Sequence, residues 1–346
     1  MLKKFIFIIV ILIFSNQILA EEKIKIGVSL PLTAEAAPLG VEFKNVLNLI
    51  NEKIGNNKFE LVFEDDKCQG REATTVAQKF INIDKIKYVL IACSAAILPT
   101  ARIYSANKIP TIVTLGSASE ISNLGKYVFR TSTNDYYGAM KLVDDLAKKH
   151  KKVLVLVDEN DYSISFYENI AKVSKGKLNV KSEFFKADRL DLKPVILRNK
   201  SFKPDAYVIL PISVDVNSNI TKQIRELGNN QEIYSAYMQY PKGSLKGLVG
   251  DGILNLINSS TLEILNSDGK ELLKEYNERY GQFQYDLIFV SAIESYRAIT
   301  QAILNKPDEV VDYLSNATFN GIIGDWKFNK NREVDFWQFE VIEVKE

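Results

Sequence analysis

Short runs of aliphatic and β-branched residues alternate with longer stretches of helical spacing along almost the whole chain, and this alternation narrows the possible folds most. Ile24 to Leu30 reads as a strand, and Val41 to Ile54 follows with apolar residues at Val41, Val46, Leu47, Leu49, Ile50 and Ile54. Further strands are expected at 59–65, 88–92 and 111–114, with helices at 71–83 and 97–107 between them. That order is the signature of parallel βαβ units with helices on both faces of a sheet. The pattern restarts at Val153–Val157, an unbroken apolar run of the kind buried in a parallel sheet. Strand-like runs recur at 180–185, 206–210, 232–237 and 253–257, with helices at 163–175 and 216–227. The expected fold class is α/β, with two doubly wound parallel-sheet lobes.

The C-terminal third reads as helix at 269–280, 286–304 and 308–314, then returns to strand patterning at 321–328 and 335–344. Nothing in 262–320 looks like a third sheet, and no Pro/Gly/Ser linker separates the lobes. Several short crossings forming a hinge fit that absence. We therefore expect 24–132 with 260–324 in one lobe and 133–259 with 325–346 in the other. At about 150 residues per domain, 346 residues suffice for two such cores.

Residues 1–20 read as a secretory signal. Lys3 and Lys4 precede the ten apolar residues Phe5–Phe14, and Ile18-Leu19-Ala20 ends on a small residue before Glu21. Ten apolar residues are about half of the roughly 20 that span a bilayer, which argues against a membrane anchor. No cysteine lies near the cleavage point to carry a lipid. Loss of this segment leaves 42 basic against 43 acidic residues, a net charge of −1. An exported, periplasmic chain cut after Ala20 is the expectation.

Export bears on Cys68 and Cys93, since two thiols in an oxidising compartment are expected to pair. Each follows a predicted strand, and parallel neighbouring strands would place both at one sheet edge. Two unpaired buried cysteines are the alternative. The balance of charge gives no field for nucleic acid. Two cysteines and one histidine leave few ligands for a structural zinc. His150, within Lys148–Lys152, reads as part of a solvated helix end. The adjacent carboxylates Asp65-Asp66 and Asp144-Asp145 point apart on any regular element, so shared acid/base work is not expected. No G-x-S-x-G elbow, H-E-x-x-H pair, Walker loop or G-x-G-x-x-G turn occurs. Neither catalysis nor a cofactor is expected.

The informative residues are polar groups at predicted strand ends, because open parallel sheets bind ligands beyond the carboxyl ends of their strands. Ser94 precedes the helix 97–107, whose free N–H groups suit an anion. Thr114–Ser119 follows the fourth strand with hydroxyls and exposed backbone. Asp158–Tyr162 follows the first strand of the second lobe. Each also has a bland reading: Ser94 as a helix cap, Ser117 in a turn, Tyr162 as packing.

Together these residues resemble a type I periplasmic substrate-binding protein of the branched-chain amino acid (leucine/isoleucine/valine) receptor family of ABC transporters. The carriers are Ile24–Thr33, Asp65-Asp66-Lys67-Cys68, Cys93-Ser94 with Pro99, Ile109–Ile112, and Phe129–Ser132 with Asp135. The likeness runs from about Ile24 to Val344. It implies a two-lobed, hinge-bending transport protein, monomeric, which closes on a small molecule and docks on a membrane permease. It also implies a Cys68–Cys93 disulfide.

By position in those motifs, Ser94 would bind a ligand carboxylate. Leu115, through its carbonyl, and Ser117 would grip the α-amino and α-carboxylate groups. Asp135 matches a hinge-proximal aspartate, Tyr162 a tyrosine that closes over the ligand, and Leu39 a side-chain pocket position. One departure stands out. Where amino-acid binders of the family present a carboxylate for the ligand ammonium, this chain has Met238, within Tyr237-Met238-Gln239-Tyr240. A buried ammonium without a counter-charge is costly. Either Gln239 or Asp135 replaces that partner, or the ligand is an amide, a short carboxylate or an aromatic acid. Tyr234, Tyr237 and Tyr240 fit an aromatic wall, or simply alternate in and out of a strand. An exported sensor subunit reporting to a membrane receptor is the rival role.

Overall fold

The apolar runs form two sheets, the first parallel throughout and the second parallel except for its last strand, and the carboxyl ends of the parallel strands carry the polar loops. The structure, a computed structural model, describes residues 22–34, 36–186, 191–210, 213–237, 252–258, 262–283 and 286–344. The first sheet contains β1 (Ile24–Leu30), β2 (Phe59–Asp65), β3 (Val89–Ile91), β4 (Thr111–Val113) and β5 (Val128–Arg130). Its order is β2-β1-β3-β4-β5, parallel throughout. Helices α1 (Ala37–Ile54), α2 (Gly70–Asn82) and α3 (Ser94–Ala106) make the crossovers. β5 was not expected from the sequence, although the equally short β3 and β4 were: it offers only Val128 and Phe129 as apolar residues before the charged Arg130.

The chain then crosses through Thr131–Asn134 into α4 (Asp135–Lys149), capped by the Asn134 side chain, which accepts from Tyr136 N at 2.9 Å. The second sheet contains β6 (Lys152–Asp158), β7 (Asn179–Phe185), β8 (Ala206–Leu210), β9 (Glu232–Ala236) and β10 (Ile253–Asn258). Helices α5 (Asp161–Val173), α6 (Lys193–Arg198) and α7 (Val214–Glu226) connect most of these strands. β6 shows why such strands read as continuous apolar runs. Val153, Val155 and Val157 enter one core with α4 and α5, while Leu154 and Leu156 enter another with α6 and α7. Both faces are covered, so neither side of the alternation is polar.

After β10 come α8 (Ser267–Tyr280), α9 (Asp286–Asn305), α10 (Val310–Asn316), and the hairpin β11 (Phe319–Gly321) and β12 (Gly324–Trp326). The strand patterning expected at 321–328 covers β12 but meets β11 only at Gly321. All of them pack on the first core. α9 is long and apolar enough to cross a bilayer, yet it is a core helix that holds a buried Glu294 and packs on α1. The first core also takes Trp326, Phe328, Val334 and Trp337. It thus extends past the expected boundary at 324. The chain joins the second sheet at β13 (Phe339–Glu343), antiparallel to β10.

Two sequence expectations change. Cys68 and Cys93 are bonded, with Cα atoms 5.4 Å apart, but β2 and β3 are not neighbours: β1 lies between them. Parallel direction still puts both ends at one edge. Left-handed backbone at Lys67 and Cys68 (φ 52° and 57°) turns the thiol across β1, and Asp66 secures the turn by accepting from Cys68 N at 2.8 Å and Ser29 Oγ at 2.6 Å. His150 is not solvated. It is 8% exposed, with Nε2 2.8 Å from Glu232 and 3.2 Å from the Tyr234 hydroxyl, so it ties the end of α4 to β9. Tyr234, His150 and Lys149 overcome burial to hold the Glu232 carboxyl down to about 2.

Candidate ligand-binding site

Hydroxyls and backbone groups at the carboxyl end of the first sheet are held in one register. Ser94 is the first residue of α3, with Cys93 in the capping position, so it sits among the free N–H groups of that helix. Its Oγ accepts from Ala118 N at 3.2 Å. The loop after β4 is pinned on every side. Leu115 N donates to Ala92 O at 3.2 Å, and the Gly116 carbonyl accepts from Ser132 Oγ at 2.6 Å. Ser117 Oγ donates to Asp135 Oδ2 at 2.9 Å, and Asp135 N donates back to Ser117 O at 2.9 Å. The first residue of α4 is thereby joined to the loop of the first sheet.

Asp135 is 1% exposed, and its second oxygen, Oδ1, has no hydrogen-bond partner among the described residues. Burial pushes its carboxyl up to about 7, against the downward pull of the Ser117 hydroxyl and the Arg130 guanidinium; Glu120 adds a smaller upward push. The second sheet contributes aromatics close enough to feel this charge. Tyr162, in the first turn of α5, and Tyr237, just past β9, both have phenols pushed well above their ordinary value by burial first and by Asp135 second. Tyr162 lies 6.3 Å from the Phe166 ring, and Tyr237 packs edge-on to Phe166 at 5.7 Å and near Phe339 at 6.5 Å. The Tyr237 hydroxyl is buried without a partner among the described residues, and its backbone is left-handed (φ 56°). Gly138 makes room for it: a Cβ there would stand 2.1 Å from the hydroxyl.

Free N–H groups at the start of α3, a buried carboxylate with one oxygen unpartnered among the described residues, and the Tyr162 and Tyr237 rings thus lie at the carboxyl ends of the two sheets. Residues 23–336 match the family model of the periplasmic binding proteins. The chain belongs to the periplasmic binding protein family. Among relatives, the Leu/Ile/Val-binding protein of Escherichia coli K12 is 25% identical, over 96% of this chain and 93% of that protein. A leucine binding protein of Thermotoga maritima superposes with a TM-score of 0.76 at 22% identity, covering 93% of this chain and 95% of that one. A solute binding protein of an ABC transporter from R. palustris, solved with benzoate, superposes at 0.74 and 20% identity, covering 94% of each chain.

Within this periplasmic binding protein, the expected residues fall into four groups. Ser117 is hydrogen-bonded to Asp135, Ser94 to Ala118 N and Leu115 to Ala92 O, while Tyr162 and Tyr237 come from elements of the second sheet. Leu39, half-buried in the first turn of α1, shares the edge of the first sheet and packs on its core. Met238, Gln239 and Tyr240 lie outside the described residues. Gly138 and Phe166 escaped sequence reasoning, because a glycine inside a helix and a phenylalanine at core spacing carry no signal until Tyr237 is placed against them.

Proposed function

We propose that this chain, exported and cut after Ala20, works as a monomeric periplasmic receptor that captures a small carboxylate between two lobes and delivers it to an ABC transporter permease, without turnover. Ser94, the start of α3, Leu115 and Ser117 form the docking face; Tyr162, Tyr237, Met238 and Gln239 close over it, with Leu39 at the side-chain end. The hinge crossings include 131–134 and, judged from the packing of Trp337, the chain near residue 338. A ligand that touches both faces only when they meet favours the closed state.

The observation that carries the reading is the buried, half-satisfied carboxylate of Asp135. In the preferred version an amino acid places its ammonium on Asp135 Oδ1 and its carboxylate on Ser94 and the α3 N–H groups, in keeping with the Leu/Ile/Val-binding relatives. A second version, an aromatic acid without an ammonium, is favoured by the Tyr162–Phe166–Tyr237 ring cluster and the likeness to the benzoate-bound protein.

Calorimetry with L-leucine and with benzoate at pH 6 and pH 8 separates them. An ammonium needs Asp135 ionised, so with a carboxyl near 7 its affinity rises roughly tenfold from pH 6 to pH 8, with proton release. A ligand that accepts from protonated Asp135 shows the opposite slope. Ser94→Ala removes a hydrogen bond to a charged group, about 2 kcal/mol of binding. Unchanged affinity in that variant would mean the docking face lies elsewhere.

A further inference from the structure

Arg130 ends β5 with a guanidinium that is 1% exposed. Its Nη1 donates to the Ala118 carbonyl at 2.7 Å, and its Nη2 donates to Ser122 Oγ at 3.1 Å and to Glu333 Oε1. Glu333, 3% exposed, also accepts from Ser122 Oγ and, at 3.1 Å, from Asn134 Nδ2. The main chain repeats the pairing, with Arg130 N donating to Arg332 O at 2.8 Å. One buried ion pair therefore gathers four segments: the end of β5, the loop that carries Ser117, the residue that caps α4, and the strand-like segment leading to β13. Two of these are crossings between the lobes, and a third is the proposed docking loop.

Stability alone does not explain the arrangement. Apolar side chains of similar volume would fill the same space without the desolvation penalty of two buried charges. What an ion pair adds is register, because neither charge tolerates separation from the other and each partner is geometrically directed. Ala118 O, which accepts from Arg130, lies beside Ser117, and Asn134 is the residue directly before Asp135. Arg130 thus reaches the Ser117 side of the Ser117–Asp135 contact, and Glu333, through Asn134, the Asp135 side.

We infer that Arg130 and Glu333 are positioning residues that couple the docking loop Leu115–Ala118 to hinge movement at Asn134 and Glu333. This rests on the proposed cleft, though neither residue needs to touch the ligand.

Native-state hydrogen exchange on the ligand-free protein tests it, read at the Ala118 and Asp135 amides, which donate to Ser94 Oγ and Ser117 O. In Glu333→Gln both amides should exchange roughly tenfold faster or more relative to the β1 amides of Gly27 and Val28, as local rather than global opening. The double variant Arg130→Met/Glu333→Leu, which buries no charge, should recover the thermal midpoint while keeping the fast exchange. Wild-type exchange in the double variant would overturn the inference, as would equal acceleration of every amide in Glu333→Gln. Affinity of Ser94→Ala for L-leucine and benzoate tests the cleft separately: no change there sinks the cleft, whereas the exchange result judges the coupling alone.

Discussion

Asp135 and Glu294 are both buried carboxylates that burial pushes up to about 7, yet the chain surrounds them in opposite ways. Glu294, on α9, is enclosed in the first core with both oxygens occupied. Oε1 accepts from Ile322 N at 2.6 Å and Oε2 from the Trp326 indole at 2.7 Å, so the acid clips the β11–β12 hairpin to the helix. Gly321 lies so close that a Cβ would stand 2.2 Å from Oε1. Asp135 spends one oxygen on Ser117 and leaves the other without a partner among the described residues. Burial and a raised pKa are therefore common to a structural clip and a candidate binding group. Unused hydrogen-bonding capacity is what sets the second apart.

The comparison is easiest to break at Glu294. Glu294→Ala leaves two buried donors without acceptors and should cost about 3 kcal/mol, seen as a lower urea midpoint at unchanged m-value. A midpoint equal to wild type would show that the hairpin finds other acceptors and that the clip is idle. A smaller effect is expected at Gly138→Ala. The added methyl strikes the Tyr237 hydroxyl, whose ring is held between Phe166 and Phe339, while the helix gains up to about 1 kcal/mol in propensity. Stability should change little and ligand affinity should fall. Full affinity would remove Tyr237 from the site.

Asp135 also carries a pH signature of its own. Its carboxyl lies near 7 folded against 3.8 for an ordinary aspartate, so the folded state binds its proton more tightly. Stability is then lost as pH rises from about 4 to about 7 and is flat above, the sign opposite to that of an ion-paired carboxylate. Asp135→Asn should flatten its share of that slope and raise stability at pH 8 while weakening ligand binding. Glu294→Gln should also flatten its share, but from a lower baseline at every pH, since an amide offers one acceptor for two donors. Parallel behaviour of the two variants would erase the distinction between them.

What the sequence disclosed follows the range of the interaction. The two sheets were legible because strands covered on both faces leave continuous apolar runs, as at Val153–Val157, and the polar loops were legible because parallel sheets collect them at one edge. β5 was not legible, since its meaning lies in an Arg130–Glu333 contact across 203 positions. The lysines around His150 pointed to a solvated helix end, and only the approach of Glu232 and Tyr234 from β9 shows otherwise. Gly138 has the same character, since its role depends on where Tyr237 arrives.

The finest test of the Asp135 environment is Ser117→Ala. The Ser117 hydroxyl stabilises the ionised carboxyl, so its removal lets burial push the Asp135 pKa further up. The hydroxyl bonds the ionised carboxylate more strongly than the protonated acid, by about 1 kcal/mol, which corresponds to a rise of roughly 0.7 pH unit. Carbon-detected NMR titration of the Asp135 carboxyl in the ligand-free protein reads this directly, and Arg130→Lys provides a contrast because it keeps the charge while changing the geometry. An unmoved midpoint in Ser117→Ala would mean that the hydroxyl does not serve Asp135 in solution. Both carboxyl oxygens would then be open, and the contact joining the first residue of α4 to the docking loop would reduce to the single backbone bond from Asp135 N to Ser117 O.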